Sequence, residues 1–298
     1  MWIDSFLKYI RYEKNYSSHT VLSYRRDLLQ FQNYLSGIEE PVSIEAAQRD
    51  QVRNWVALLV EGGDTSRTVA RKVSALRTFY TYLIRQKVIR TTPMRDVSVP
   101  KIDKPLPVFV RPSEMNTLLD EEVPANDFAA LRDRLILLML YMTGMRRAEL
   151  ISLRDVDVDT RSLQLKVTGK RNKQRIIPFG VELGAAIEEY RRVRKVSVGS
   201  VSPYFLVKDD GEPLYPMYVY RLVTRKLGEV TTLSRKSPHV LRHTFASAML
   251  NNGAGLNSVK ELLGHQSLAS TQVYTHITFE ELKQDYQHAH PRAEKKKS

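Results

Sequence analysis

The sequence predicts a mainly α-helical protein of two domains, with a small antiparallel β-hairpin in the second. The chain has 298 residues, enough for two domains of about 100–200 residues each. Apolar residues recur at intervals of three and four along most of the chain, as in helices packed on a core. A segment with three prolines and no helical period, V-P-K-I-D-K-P-L-P at 99–107, predicts a linker. We expect domains at 1–104, counted with the linker, and at 105–298.

Four helices are expected in the first hundred residues. The first is the amphipathic opening segment. The second begins at Ser17 and Ser18, whose hydroxyl groups suit an N-cap, and the fourth begins in the same way at Thr65 and Ser66. The third helix is expected to be capped by Asp50, and its apolar residues are Val52, Trp55, Val56 and Leu59.

Basic residues border the apolar stripes of the second and fourth helices. The chain carries 46 Lys and Arg against 33 Asp and Glu, a formal net charge of +13, which is typical of proteins that bind a polyanion. A solvated helix face is the ordinary explanation for such charges. The candidates for DNA contact are Arg25, Arg26, Arg67, Arg71, Lys72 and Arg77.

Two motifs of the second domain contain candidate functional residues. T-G-M-R-R-A-E-L at 143–150 follows a strongly apolar helix, and Gly144 is expected to end that helix, which places Arg146 at the start of the next one. V-T-G-K-R-N-K-Q-R-I-I-P-F at 167–179 predicts a β-hairpin, because apolar residues alternate on both sides of a Gly- and Asn-containing turn. Lys170 is expected at its tip.

A third cluster lies near the C-terminus. In K-S-P-H-V-L-R-H-T-F at 236–245, His239 and Arg242 are three residues apart on a predicted helix and are expected to share a face. A guanidinium beside an imidazole suits two oxygens of one phosphodiester. Gly264 is expected to end a short helix before His265, and Tyr274, nine residues later, has a phenol that can attack phosphorus.

Each of these residues also has an ordinary explanation. A Tyr near a helix end is usually a half-buried core residue, an Arg before A-E-L usually pairs with a nearby acid, and a Lys in a turn is usually solvated. Glu149 is interpreted as an orienting or structural partner, and His276 and His243 as supports.

The sharpest alternative is a metal site. His239 and His243 are four residues apart and could bind one zinc ion, with His265 or His276 as a third ligand. Against this, the position after the first His is Val240 rather than the Glu of metalloproteases, and Arg242 would repel a cation. No metal and no cofactor is therefore expected.

Other classes are disfavoured by composition. The chain has no cysteine, so neither disulfides nor thiolate–zinc chemistry is available. Its opening segment is interrupted by Asp4 and Lys8 and is unlike a signal peptide. No apolar run approaches the ~20 residues of a membrane span, and we expect a cytoplasmic protein.

Taken in chain order, Arg146, Lys170, His239, Arg242, His265 and Tyr274 resemble the active-site set of the tyrosine recombinase (phage integrase) family. The resemblance covers nearly the whole chain and is strongest to the bacterial Xer branch, through N-Y-S-S-H-T-V-L-S-Y-R-R-D-L-L-Q-F at 15–31, R-K-V-S-A-L-R-T-F-Y-T-Y-L at 71–83 and L-L-G-H-Q-S-L-A-S-T-Q-V-Y-T-H at 262–276. The ending A-H-P-R-A at 289–293 is closer to the XerC than to the XerD group. Arg147-Ala148 departs from the family pattern, which more often has an aliphatic residue and then Ser.

The resemblance implies a fold, an activity and partners. The fold would be a four-helix SAM-like core-binding domain and a mostly helical catalytic domain. The activity would be site-specific recombination of double-stranded DNA through a 3′-phosphotyrosyl intermediate and a Holliday junction, with Tyr274 as nucleophile. The implied partners are a dif-like DNA site, a second Xer-type recombinase or further copies of this chain in a tetramer, and an FtsK-type translocase. A segment around Phe279, Leu282 and Tyr286 would dock on a neighbouring subunit. Two alternatives are the integrase of a mobile element and a non-catalytic DNA-binding protein of this fold.

Overall fold

The computed structural model describes residues 2–101, 108–169, 172–199, 202–264 and 278–293. The chain forms two compact units, Met1–Pro105 and Leu106–Ser298. Both are mainly helical, and one small antiparallel sheet lies in the second, so the predicted fold class is confirmed. No helix in the described residues is long and apolar enough to cross a membrane.

Four helices form the part of the first unit that the structure describes, residues 2–101. They are α1 (Trp2–Lys8), which continues as a π-helical turn over Tyr9–Glu13, α2 (Ser18–Ser36), α3 (Arg49–Glu61) and α4 (Ser66–Arg85). Their apolar faces enclose one core that contains Phe6, Phe31, Trp55 and Phe79. Burial of these aromatic side chains, together with the aliphatic residues around them, stabilises the unit.

The helix starts of this unit agree with the sequence at two of three positions. The side chains of Ser17 and Thr65 accept hydrogen bonds from backbone amides three residues later, at 3.2 and 3.3 Å, as predicted. The expected cap at Asp50 is wrong. Helix α3 begins at Arg49 after Gln48, whose backbone N–H donates to the side chain of Gln51 at 2.7 Å. Asp50 lies in the first turn, where its charge complements the helix dipole instead.

The second unit surrounds one apolar helix, α6 (Phe128–Thr143). Its residues Leu135 to Thr143 are all buried, which explains why the segment has no polar face in the sequence. The other helices of this unit before the C-terminal segment are α5 (Pro112–Leu119), α7 (Arg147–Ile151), α8 (Val181–Ser197), α9 (Pro216–Val230), α10 (Pro238–Asn251) and α11 (Leu256–Leu263).

The sheet contains the predicted hairpin and one additional short strand. Its strands are β1 (Val158–Asp159), β2 (Gln164–Thr168) and β3 (Gln174–Pro178), antiparallel in the order β1-β2-β3. The register pairs Leu165 with Ile177 and Thr168 with Gln174. This confirms the hairpin, while Lys170 lies outside the described residues.

The C-terminal helix α12 (Phe279–Ala289) packs on its own unit. Leu282 and Tyr286 are buried in the core that α10 and α11 share. Arg292, just beyond the helix, pairs with Glu182 at the start of α8. In this single chain the apolar stripe of α12 is buried within its own unit, and the docking of Leu282 and Tyr286 on a neighbouring subunit stays a prediction.

Candidate active site

Three helix ends form the candidate site. Helix α6 ends at Gly144, which has the left-handed conformation with φ 59°. Arg146 precedes α7 as its N-cap residue. Helix α11 ends at Gly264, also left-handed with φ 61°. Both glycines and the position of Arg146 were predicted. Glycine adopts the left-handed conformation at lower cost than residues with a Cβ. The carbonyl oxygens of Gly144 and Leu263 lie close enough to accept hydrogen bonds from one side chain.

Arg242 on α10 joins two of these ends. Its Nη1 donates to the carbonyl oxygen of Gly144 and its Nη2 to that of Leu263, both at 2.6 Å. Burial lowers the pKa of Arg242 to about 10, and the nearby charge of Arg146 acts in the same direction. The group is still cationic at neutral pH. It is therefore a rigid, partly desolvated positive charge.

The side chain of Arg146 is more exposed than that of Arg242. Its Nη1 donates to Oε1 of Glu149 at 2.8 Å and its Nη2 to the carbonyl oxygen of Gly264 at 3.2 Å. Its backbone N–H also donates to Oε2 of Glu149 at 2.7 Å. The side chain is 36% exposed. The guanidinium is thus oriented from one side and accessible from the other, as an anion-binding group must be.

Glu149 lies at the centre of the network and is only 3% exposed. Burial alone would raise the pKa of its carboxyl group, but the hydrogen bonds from Arg175 and Arg146 outweigh it and lower the pKa to about 2. Its interpretation as an orienting partner therefore agrees with its contacts.

Arg175 was missed by the sequence analysis. Its two terminal nitrogens donate to the two carboxylate oxygens of Glu149, each at 2.9 Å, and its Nε donates to the carbonyl oxygen of Leu262 at 2.7 Å. The signal was present in the pattern, because alternation along β3 puts position 175 on the same side as the buried Ile177. A charge on the inner side of a strand requires a partner.

The charges of these four side chains do not cancel. Three guanidinium groups contribute +3 and Glu149 contributes −1, which leaves +2. A phosphodiester brings one negative charge, and attack by an oxygen nucleophile adds a second as the transition state forms. The cluster therefore has the sign and excess charge needed to stabilise that transition state.

His239 lies on the exposed side of α10, whereas Arg242, three residues later, turns inward. Partial burial lowers the pKa of His239 below its ordinary value, and the charges of His243 and Arg147 add to this. A neutral imidazole at neutral pH is able to accept a proton. The two side chains thus share a helix but differ in burial, which spacing alone did not predict.

The remaining predicted site residues, Lys170, His265 and Tyr274, lie outside the described residues, as does His276. His265 directly follows Gly264 in the sequence. Among the residues that the structure describes, no three His, Cys, Asp or Glu side chains are grouped so that they could hold a metal ion. His265 and His276, the suggested third ligands of a zinc site, are not among those residues.

The six basic residues assigned to DNA contact differ in their surroundings. Arg25, Arg26 and Arg67 are exposed. Arg71 is partly exposed and bonded to Ser23 and Asp27, and Arg77 donates to the carbonyl oxygen of Val97 at 2.7 Å.

Lys72 is the exception. It is buried, with its ammonium 2.6 Å from Asp64. Its contacts are those of an internal ion pair, and we therefore leave it out of the proposed DNA-binding set.

Comparisons with known proteins show the family of the chain. The phage integrase family model matches residues 109–281, and the phage integrase N-terminal SAM-like domain matches residues 3–87. A tyrosine recombinase XerC of Chlorobaculum tepidum is 38% identical over 319 residues, covering 98% of this chain and 95% of that protein.

Two solved structures share the fold. XerH bound to a palindromic difH substrate, in a post-cleavage complex, has a TM-score of 0.75 at 19% identity and covers 98% of this chain and 92% of its own. The Tn1549 transposon integrase, in complex with transposon right end DNA, has a TM-score of 0.71 at 20% identity and covers 95% of this chain and 98% of its own.

Proposed function

Because the chain belongs to the phage integrase family, as a site-specific tyrosine recombinase of the Xer branch, we propose that it resolves chromosome dimers at a dif-type DNA site. As a member of that family it cuts and rejoins DNA strands by transesterification through a tyrosine. What we add as proposals are the residues that perform each step, the DNA target and the protein partners.

The observation that supports the residue assignment is the rigid guanidinium cluster with its net charge of +2. We assign Arg146 and Arg242 to the two non-bridging oxygens of the scissile phosphate, since charge fixed in advance at a desolvated site stabilises a developing dianion. We assign His265 to a further hydrogen bond on the same phosphate. No cofactor enters this scheme.

The covalent step exchanges one phosphoester for another. The Tyr274 phenolic oxygen forms a bond to phosphorus, and the bond from phosphorus to the 5′ oxygen breaks. His239 accepts the phenolic proton, and Lys170 donates a proton to the departing 5′ oxygen. A phenol with an ordinary pKa of about 10 needs such help. Attack by the 5′ hydroxyl of another strand then reverses the step and releases Tyr274.

DNA binding would involve both units. In the first unit, we assign contact with the phosphate backbone to exposed basic residues of two helices. These are Arg25 and Arg26 on α2 and Arg67, Arg71 and Arg77 on α4. Residues 1–104 would act as the core-binding domain and residues 105–298 as the catalytic domain.

The proposed assembly is a tetramer on two paired DNA sites, formed with a second Xer-type recombinase or with copies of this chain, and activated by an FtsK-type translocase. We place this activity in the cytoplasm. The integrase of a mobile element would use the same chemistry, so the DNA target is the point on which the two roles differ.

Two experiments test the proposal. DNA carrying a nick next to the cleavage position should trap the wild-type protein in an SDS-resistant adduct, while Tyr274→Phe should bind the same DNA with near-normal affinity and form none. An adduct with Tyr274→Phe would refute the assignment of Tyr274 as the nucleophile.

Footprinting on replication-terminus DNA of the host should reveal a protected dif-like site, and protection only at the ends of a mobile element would refute the chromosomal role.

A further inference from the structure

The C-terminus of α11 receives an arginine on each of its last three carbonyl groups. A helix end leaves such carbonyls without partners and carries a partial negative charge, which makes cationic donors favourable there. The donors come from three separate elements. The three pairs are Arg175 Nε on Leu262 at 2.7 Å, Arg242 Nη2 on Leu263 at 2.6 Å and Arg146 Nη2 on Gly264 at 3.2 Å.

Arg175 uses all three of its guanidinium nitrogens in hydrogen bonds within the protein. Its side chain is 9% exposed, and all three of its nitrogens donate to Glu149 or Leu262. It also packs on Gly264, where an added Cβ would lie 3.1–3.3 Å from the guanidinium and its Cδ. Each nitrogen of Arg175 therefore has a partner within the protein, and we assign this side chain to holding Glu149 and the end of α11 rather than to binding a phosphate.

We propose that Arg175 is a positioning residue of the recombination reaction, which acts through Glu149 and the end of α11 to aim Arg146 at the scissile phosphate. This inference rests on the proposed function of Arg146. It adds a residue outside the six-residue set that the sequence predicted.

The physical basis is a shared carboxylate. Each oxygen of Glu149 accepts one hydrogen bond from Arg175 and one from Arg146. Without Arg175, Arg146 alone would balance the buried negative charge, and its guanidinium would be drawn towards Glu149 and away from a phosphate. Glu149 would also lose the fork that fixes its plane.

The variant Arg175→Met tests the proposal, because it keeps much of the apolar stem and removes the fork. On nicked DNA at saturating concentration, we expect the first-order rate of adduct formation to fall on the order of 10–100-fold, the scale expected when a catalytic group is displaced by about 1 Å. DNA affinity, measured by fluorescence anisotropy, should change by less than about twofold.

A matched control is available in Arg194. It is also a buried arginine of the second unit and donates to Asp155 and to the carbonyl oxygen of Phe205, at 2.8 and 2.9 Å. We expect Arg194→Met and Arg175→Met both to lower the melting temperature. Arg194→Met should nevertheless leave the adduct rate of the remaining folded protein unchanged. Equal loss of rate in both variants would reduce Arg175 to a general stabilising residue and overturn the proposal.

The double variant Glu149→Gln with Arg175→Met separates positioning from stability. The double variant removes the buried carboxylate together with the fork that held it, so no carboxylate is left short of donors and the melting temperature should recover relative to Arg175→Met. The adduct rate should stay low, because Arg146 still lacks its orienting carboxylate. If the rate recovers together with stability, or if Arg175→Met impairs only DNA affinity, the proposal is wrong. A wild-type protein that forms no adduct would instead refute the proposed function itself.

Discussion

Arg242 Nη1 donates a 2.6 Å hydrogen bond to the carbonyl oxygen of Gly144, which lies 98 residues earlier in the chain. The contact connects α10 to the end of α6, the most buried helix of the second unit. Its geometry depends on the left-handed turn at Gly144, since that turn presents the carbonyl group to α10. The proposed phosphate-binding guanidinium is therefore anchored to the core rather than to a surface loop.

This anchoring predicts that Arg242 cannot be replaced by another cation. Arg242→Lys retains the charge but has one ammonium group, which cannot reach Gly144, Leu263 and a phosphate together. We expect adduct formation at saturating DNA to slow by about 10²-fold or more, measured by rapid quench and gel analysis. Arg161→Lys, at an exposed turn position, is the control and should react normally. A normal rate in Arg242→Lys would mean that the anion site lies elsewhere.

A second prediction concerns Lys170 as the general acid. If Lys170 protonates the leaving 5′ oxygen, its loss matters only while that oxygen is a poor leaving group. Substitution of sulfur for the bridging 5′ oxygen should restore cleavage to Lys170→Ala by a large factor, and the same substrate should not rescue Arg146→Ala. Cleavage assays on matched oxygen and sulfur substrates measure this. If the sulfur substrate leaves Lys170→Ala equally defective, Lys173 is the next candidate acid.

A third prediction contrasts an exposed with a buried basic residue on α4. Arg67→Ala should reduce the slope of log affinity against log salt by about one, because one phosphate contact is lost. Lys72→Ala should leave that slope unchanged and lower the melting temperature, since its ammonium is paired with Asp64 inside the unit. Binding titrations at several salt concentrations, with thermal melts of both variants, test the contrast. A reduced slope in Lys72→Ala would restore that residue to the DNA contacts.

A fourth prediction isolates the packing around Gly144. An added Cβ would overlap the ring of Phe245, and the left-handed φ of 59° already disfavours any side chain. For Gly144→Ala we expect about 1–2 kcal/mol of backbone strain and a further ~1–3 kcal/mol from overpacking. Gly253→Ala is the control, because its φ is 91° and no atom lies within 4 Å of its Cβ position. Chemical denaturation measures the free energy of unfolding of both variants. Equal losses of stability would mean that Phe245 moves aside at no cost in free energy.

A fifth prediction concerns pH and His290. This imidazole is buried and lies 5.2 Å, centroid to centroid, from the ring of Tyr286, and burial lowers its pKa to about 3. Below pH ~6.5 the unfolded chain binds a proton that the folded chain does not bind until about pH 3. Stability should therefore fall as pH drops through this window, by at most about 1.4 kcal/mol per pH unit.

Denaturation of His290→Phe between pH 6 and 5 tests this effect, since most carboxyl groups do not yet titrate there. The variant should show a flatter dependence of unfolding free energy on pH than the wild type. The control variant His239→Asn removes an exposed imidazole. It should flatten the pH dependence of the unfolding free energy less than His290→Phe does. An unchanged slope in His290→Phe would show that His290 does not supply the linkage.

The sequence by itself determined the local features of this protein. Hydroxyl caps at Ser17 and Thr65 and the turns at Gly144 and Gly264 depend on residues that are neighbours in the chain, so the pattern was sufficient to predict them. The hairpin over 163–179 was also predictable, because both strands and their turn are contiguous. The candidate set around Arg146 and Arg242 followed from motifs of the same kind.

Only the tertiary structure decided which partner each charged side chain found. The inward fork of Arg175 on Glu149, the burial of Lys72 on Asp64 and the packing of α12 within its own unit all depend on how separate segments meet. A side chain's charge and helical position are local properties. Its burial is set by contacts between distant segments. For Arg175, these contacts decide between a solvated charge and a side chain that holds Glu149 in the candidate site.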